Sequence, residues 1–282
     1  MNTLAALFIA LAVERFGDER LLAFRQGDHL QRYLAAMARL LRPCRACDGP
    51  LGVALMLLPL LAGVHLVYGL FDGWFFGLAG LVMATVLLLY SLGPEDVERT
   101  LRRYRDAGDE ATRAALFHAL ADGEPMPLDA AQRSARLAEL ACRAATRRLF
   151  AVLFWFALGG PLAALAYRLS RALEAAGPGL PSGLQQAAHH WLALLDWAPA
   201  RLLVLTLALT GPFEPLWHLL RAGLWCHPSV CPEVTARLLE AAGRGCLAGE
   251  DPVAWLAQAE RLLQRALLVW LAVLAALVVL AP

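Results

Sequence analysis

The chain has 282 residues, 59% of them hydrophobic and 17% charged, with a mean hydropathy of +0.54. Soluble domains carry about 25% charged residues, and a formal net charge of +1 gives no electrostatic footprint for nucleic acid. All 25 basic residues are arginine, which excludes lysine Schiff-base chemistry and a Walker-type phosphate loop, whose lysine reaches the β/γ-phosphates.

The apolar residues gather into six runs, as in bilayer-spanning helices. The first, about Leu4–Val13, is short for a span and needs its flanks to cross roughly 30 Å. It has no basic leader, and Glu14-Arg15 stand where a cleavage site would lie, so it does not read as a cleavable signal. Runs two (Leu51–Leu70) and three (Trp74–Leu92) are joined by a tight Phe71-Asp72-Gly73 turn. Run four (Leu149–Tyr167) is interrupted by Gly159-Gly160-Pro161. Run five (Trp191–Thr210) holds Asp196, Pro199 and Arg201, and run six is Ala266–Leu280. Arginines crowd three connections: Arg20–Arg45, Arg99–Arg148 and Arg221–Arg265. The connections between runs two and three and between four and five hold none and two (Arg168, Arg171). The positive-inside rule then places the three rich connections in the cytoplasm and both termini outside. The expected fold is an all-α polytopic transmembrane bundle of about six crossings, residues 1–282 forming one membrane domain in a bacterial inner membrane.

Two of these connections, residues 93–148 and 211–265, read as helical. In the first, Val97, Leu101 and Tyr104 recur at helical spacing after Pro94, a second short helix covers about Glu110–Ala121, and Asp129 with Gln132 reads as a cap opening a third. No breaker intervenes before Gly159, so this third helix is expected to run into run four. Asp251-Pro252 opens a last helix reaching Leu280, about 43 Å long. The layer these helices form stabilises the bundle or presents a docking surface; the spacing does not choose between them.

Candidate chemistry is sparse. Glycine and proline at membrane depth, as in Gly159-Gly160-Pro161, loosen the backbone ladder or admit close packing. Asp196 and Arg201 flank Pro199 in an apolar run, where ionisable groups are expensive and face a partner or a polar cavity; the alternative is placement at an interface beside Trp191 and Trp197. Cys44-x-x-Cys47 and Cys226/Cys231 with His227 have the ligand types of a thiolate metal site, but the second pair has the wrong spacing, and free thiols are the simpler reading. His189 and His190 diverge on a helix and make a poor metal pair. No G-x-S-x-G, H-E-x-x-H or Gly-rich nucleotide loop is present; no catalytic residue and no cofactor is expected. Gly73/Gly77/Gly80 and Gly160/Ala164 make small-residue faces suited to intrachain packing or a homo-oligomer.

Three stretches resemble the AmpE family: Leu153-Phe154-Trp155 with Gly159-Gly160-Pro161 and Ala166-Tyr167-Arg168; Leu195-Asp196-Trp197-Ala198-Pro199-Ala200-Arg201-Leu202; and Val13-Glu14-Arg15-Phe16 with Tyr90-Ser91-Leu92. The resemblance implies an inner-membrane signalling modulator tied to β-lactamase induction and cell-wall recycling, non-enzymatic, and a partner of a cytoplasmic anhydromuramyl-peptide amidase. It makes Asp196, Arg201, Tyr167, Arg168 and Glu14 the candidate polar site. AmpE proteins are related to the CobD/CbiB synthases of cobalamin assembly. Where those carry a carboxylate-rich set before run four, this chain reads Cys142-Arg143-Ala144-Ala145-Thr146-Arg147-Arg148, which argues against their ATP- and metal-dependent ligation. The alternatives are a membrane enzyme or small-molecule transporter of that fold, using Asp196, Arg201 and Tyr167, and a metal- or cofactor-binding redox protein using the four loop cysteines.

Overall fold

The structure is a computed structural model that describes residues 28–41, 48–71, 78–92, 97–121, 126–176, 180–224, 233–245 and 252–280. The first apolar run, Glu14, the turn after Phe71, Cys44, Cys47, Cys226, His227 and Cys231 lie outside the described residues. Helices account for every regular element among them. They are α1 (Asp28–Leu41), α2 (Pro50–Phe71), α3 (Leu78–Leu92), α4 (Val97–Asp106), α5 (Glu110–Leu120), α6 (Ala130–Ala145), a π-helical turn (Thr146–Phe150), α7 (Ala151–Ala175), α8 (Ser182–Thr210), α9 (Phe213–Leu224), α10 (Glu233–Gly245) and α11 (Pro252–Leu280). Three helical stretches among the described residues, Pro50–Leu70, Ala131–Ala175 and Ser182–Thr210, are long and apolar enough to cross a membrane, and Ala79–Leu92 is a shorter apolar helix. The chain is an all-α helical membrane protein. It divides into two compact units: α1–α3, α7 and α8 up to Leu195 in the first, with the last turns of α11; α4–α6, the π turn, α8 from Asp196, α9, α10 and α11 up to Val273 in the second.

In the first unit, α1 buries Leu30, Leu34 and Ala38, one face at four-residue spacing, against Val53, Met56 and Leu57 of α2 and Leu165, Leu169 and Leu173 of α7. The Tyr33 hydroxyl donates to the Met56 carbonyl at 3.0 Å. The rest of α2 faces outward with Leu51, Leu55, Leu58, Leu66 and Leu70 exposed, as a lipid-facing helix requires, since bilayer rather than protein covers that surface. Two α3 hydroxyls are satisfied inside their own helix: Thr85 donates to the Leu81 carbonyl at 2.8 Å and Ser91 to the Leu87 carbonyl at 2.7 Å. α7 is two helical pieces. Gly159 (φ −133°, ψ 16°) and Gly160 (φ 70°, ψ −163°) leave helical geometry, and Pro161 opens the second piece, where its missing N–H removes no helical bond.

One contact bears on the expected orientation. An Asp48 carboxylate oxygen accepts the Leu184 backbone N–H at 2.8 Å, bringing the start of α2 to the start of α8. The arginine distribution puts those two starts on opposite faces. Three full crossings by α2, α3 and α7 would also separate them.

The second unit is built on α6. Leu101 and Tyr104 of α4, Phe117 of α5 and Leu137, Leu140 and Ala141 of α6 share one core, with Leu263 of α11 against it. The cap expected at Asp129 is present, accepting the Gln132 N–H at 3.0 Å, and Asp109 also caps α5, accepting the Thr112 N–H at 2.8 Å and its hydroxyl at 2.7 Å. The Asp109 carboxyl is exposed, and these Thr112 bonds hold its pKa below the usual carboxylate value. α6, the π turn and α7 run on as expected, helical up to Gly159. α10 packs closely on α6 because Gly243 has no side chain: a Cβ there would sit 2.7 Å from the Ala138 carbonyl oxygen and 2.7 Å from the Glu139 Cα.

Candidate functional site

Asp196 lies in the middle of α8 and is 3% exposed. A buried carboxylate in an apolar helix needs a cation, and Arg147 supplies it: its Nε donates to Asp196 Oδ2 at 3.3 Å. Arg147 stands on the π turn between α6 and α7. Such a turn holds one residue more than an α turn and re-aims the side chains on it, which is why π turns recur at functional positions. The preceding Thr146 is fully buried and turns its hydroxyl back to the Cys142 carbonyl at 2.8 Å, so the turn leaves no hydroxyl unsatisfied.

Arg201, 5% exposed, is held differently. Its guanidinium donates through Nη1 to the Trp197 carbonyl at 2.9 Å and through Nη2 to the Gly223 carbonyl at 2.6 Å, and lies 4.4 Å from the Trp197 ring centroid. Gly223 is in the last turn of α9, where carbonyls lack helical donors and the helix dipole favours a cation. Arg201 therefore clamps the end of α9. Asp196 and Arg201 stand on either side of Pro199; the structure brings Arg147 to Asp196 and the end of α9 to Arg201.

Tyr167 and Arg168 belong to the first unit. Tyr167 is 1% exposed on the second piece of α7, and Arg168 is half-buried beside it. Toward the end of that piece Ser170 accepts the Trp191 indole N–H at 3.0 Å, and Glu174 meets His189 Nδ1 at 3.1 Å, tying α7 to the first turns of α8. Higher on α7, the Trp155 indole N–H donates to the Leu195 carbonyl at 3.3 Å. Pro199 has no N–H to give that carbonyl four residues back, so Trp155 supplies the missing donor. His190 Nδ1 turns away to its own helix, 2.8 Å from the Gln186 carbonyl oxygen, so the two histidines do diverge.

Around the contact of α6 with α10 lies an ion network that no motif announces. Glu139, 5% exposed, is reached by Arg136 Nη1 at 2.6 Å and by Arg244 Nε, while Glu240 lies 3.5 Å from Arg136 and 3.8 Å from Arg143. The i,i+3 spacing of Arg136 and Glu139 is readable in sequence; the partners on α10 are about a hundred residues away. For Arg147 there was no local signal either, since 49 positions separate it from Asp196.

No solved structure matches this chain. Among curated proteins, the cobalamin biosynthesis protein CobD of Pelobacter propionicus (strain DSM 2379 / NBRC 103807 / OttBd1) is 27% identical over 190 residues, 64% of this chain and 58% of that protein. The chain thus spans less than two thirds of that relative. A model of the family described as "Regulatory signalling modulator protein AmpE" matches residues 2–280, and the chain belongs to that family.

Proposed function

We propose that the protein is an inner-membrane modulator of β-lactamase induction, linked to cell-wall recycling, that acts through its helical layer by contact with a cytoplasmic partner rather than by catalysis. In this reading α4–α6, α9 and α10 face the cytoplasm, the C-terminal end of α11 reaches the periplasmic side, and the partner is a recycling component such as an anhydromuramyl-peptide amidase. The observation that carries it is the match to a signalling-modulator family over nearly the whole chain. The layer is consistent with a docking role: it has its own core and a charge network locking α10 to α6, so it can present a fixed surface. The test is complementation of a strain lacking the gene. Wild-type protein should restore the normal β-lactamase response, and the Arg136→Gln/Arg244→Gln variant should not, at equal membrane abundance. If removal of the gene leaves induction unchanged, the reading is wrong.

The CobD relative favours a second reading, a membrane enzyme or small-molecule carrier of the synthase fold. It would use Asp196, Arg147 and Arg201 in the second unit, or Tyr167 and Arg168 in the first. A small molecule that co-purifies with wild-type protein and is lost in Asp196→Asn would support it; retention in Asp196→Asn would count against these residues as its site. The cysteine-based redox reading rests on Cys44, Cys47, Cys226 and Cys231, and elemental analysis of purified protein decides it.

A further inference from the structure

Within the second unit, α11 changes character along one face. Arg261, Arg265, Leu268, Ala272 and Val273 are exposed, while Ala259, Leu262, Ala266 and Trp270 are buried on the other side. The exposed stripe recurs at helical spacing and passes directly from two arginines to apolar side chains. Leu268 is 66% and Val273 52% exposed; on a membrane helix such a stripe is covered by acyl chains. Arg265 precedes Leu268 by three residues, about 4.5 Å of rise, and Arg261 precedes it by about 10 Å. With the apolar end of α11 in the bilayer, as the sequence predicts for run six, both guanidiniums fall where acyl chains give way to headgroups. Neither is in an ion pair among the described residues; Arg261 only turns its Nε to the Ala257 carbonyl at 3.1 Å. Adjacent on α11, Glu260 takes Arg102 Nε at 2.8 Å and Arg105 Nη1 at 3.5 Å from α4. Arg105 also meets Asp106 at 3.5 Å, so Arg102 and Arg105 are tied to carboxylates while Arg261 and Arg265 flank Glu260 along α11.

We propose that Arg261 and Arg265, backed by Arg102 and Arg105, form a binding site for the phosphate headgroup of an anionic phospholipid whose acyl chains lie along Leu268 and Val273. The signalling reading is not needed for it. Guanidinium forks match phosphate oxygens bidentately, and the apolar continuation of the stripe selects an amphiphile over a free anion. Glu260 fixes the corner by holding α4 to α11 at that level.

The test uses the full chain in detergent, exposed to equal parts of phosphatidylglycerol and phosphatidylcholine, with retained lipid counted by native mass spectrometry. Wild-type protein should retain phosphatidylglycerol preferentially, and Arg261→Gln/Arg265→Gln should retain about thirtyfold less, the product of roughly fivefold for each of two surface cations. Arg237→Gln, an exposed arginine paired with Glu233, should behave as wild type. If the double glutamine variant does not insert, Arg261→Lys/Arg265→Lys carries the test: it should keep the preference and lose it in high salt, because the interaction is electrostatic. Equal retention of the two lipids overturns the proposal, as does undiminished phosphatidylglycerol in the glutamine variant. Displacement by inorganic phosphate alone would make this a soluble-anion site and overturn the lipid assignment.

Discussion

Gly243→Ala is a one-methyl perturbation at the closest helix contact of the second unit. The added Cβ would lie 2.7 Å from the Ala138 oxygen, 2.7 Å from the Glu139 Cα and 2.9 Å from the Glu139 nitrogen. All three are backbone atoms of α6, so no side chain can rotate away. Carbon–carbon contacts settle near 3.5–4.0 Å, so α10 must retreat from α6 by about 1 Å. Overpacking of this kind costs about 1–3 kcal/mol. Alanine in place of a helical glycine returns up to about 1 kcal/mol, leaving a net loss of roughly 1–2 kcal/mol. The retreat would also loosen Arg244 from Glu139, which adds to the loss. Gly63→Ala in α2 is the control: nothing lies within 4 Å of its Cβ, so only the propensity gain remains. Thermal unfolding of the purified protein in detergent should show Gly243→Ala lowered by a few degrees, at roughly 2–4 °C per kcal/mol, and Gly63→Ala unchanged or raised. A Gly243→Ala protein as stable as wild type would refute the close packing of α10 on α6.

Gly160→Ala meets no steric obstacle within 4 Å, yet φ +70° with ψ −163° is a glycine conformation; we expect a loss of about 1–3 kcal/mol from backbone strain alone, seen as a lowered melting temperature with normal expression. Asp109, with its folded pKa below the unfolded value, contributes stability that is present above the ordinary carboxylate pKa and lost as pH falls through the lowered one. Asp109→Asn keeps the cap and removes that acid-dependent part, so wild-type and variant melting temperatures should converge in relative terms at low pH; parallel curves through the acid range would refute it. Single cysteines at Asp48 and Gln185 in an otherwise cysteine-free chain should react with an impermeant maleimide from the same side of the membrane, and labelling from opposite sides would break the Asp48–Leu184 contact as a native feature.

Much of the fold is legible where the signal is local. The Asp129 cap, the start of α11 at Pro252 and the run of α6 into α7 all follow from neighbouring residues, because capping and periodicity act over one or two turns. α8 begins at Ser182, nine residues before Trp191, because Leu184, Ala188 and Leu192 already form a buried face despite the polar Gln185, Gln186, His189 and His190 between them; hydropathy averages away what spacing retains. Asp196 and Arg201 stand out in sequence as ionisable groups in an apolar run, whereas Arg147 does not. That Asp196 needs a cation follows from burial, whereas its contact with Arg147 depends on where the π turn delivers a side chain. Arginine counts likewise fixed a single orientation from connections taken one at a time, and could not register that Asp48 reaches Leu184.

The run Leu195–Leu202, which carries the most specific resemblance, also concentrates the backbone repairs of α8, and this can be measured. Pro199 removes the N–H that would bond the Leu195 carbonyl, and the Trp155 indole donates there at 3.3 Å. If that donor matters because of the proline, the two positions must be coupled. Trp155→Phe alone keeps most of the apolar contact and leaves a carbonyl unbonded at membrane depth, a loss of roughly 0.6–1.7 kcal/mol by the scale of hydrogen bonds within membrane proteins. Pro199→Ala alone provides a competing backbone donor. In the Pro199→Ala background the helix bonds Leu195 itself, so Trp155→Phe should lose only its packing share. A double-mutant cycle on unfolding in detergent isolates the difference, which should approach the single-variant hydrogen-bond loss. Strict additivity would mean that the indole contributes only packing, and that Leu195 is satisfied some other way.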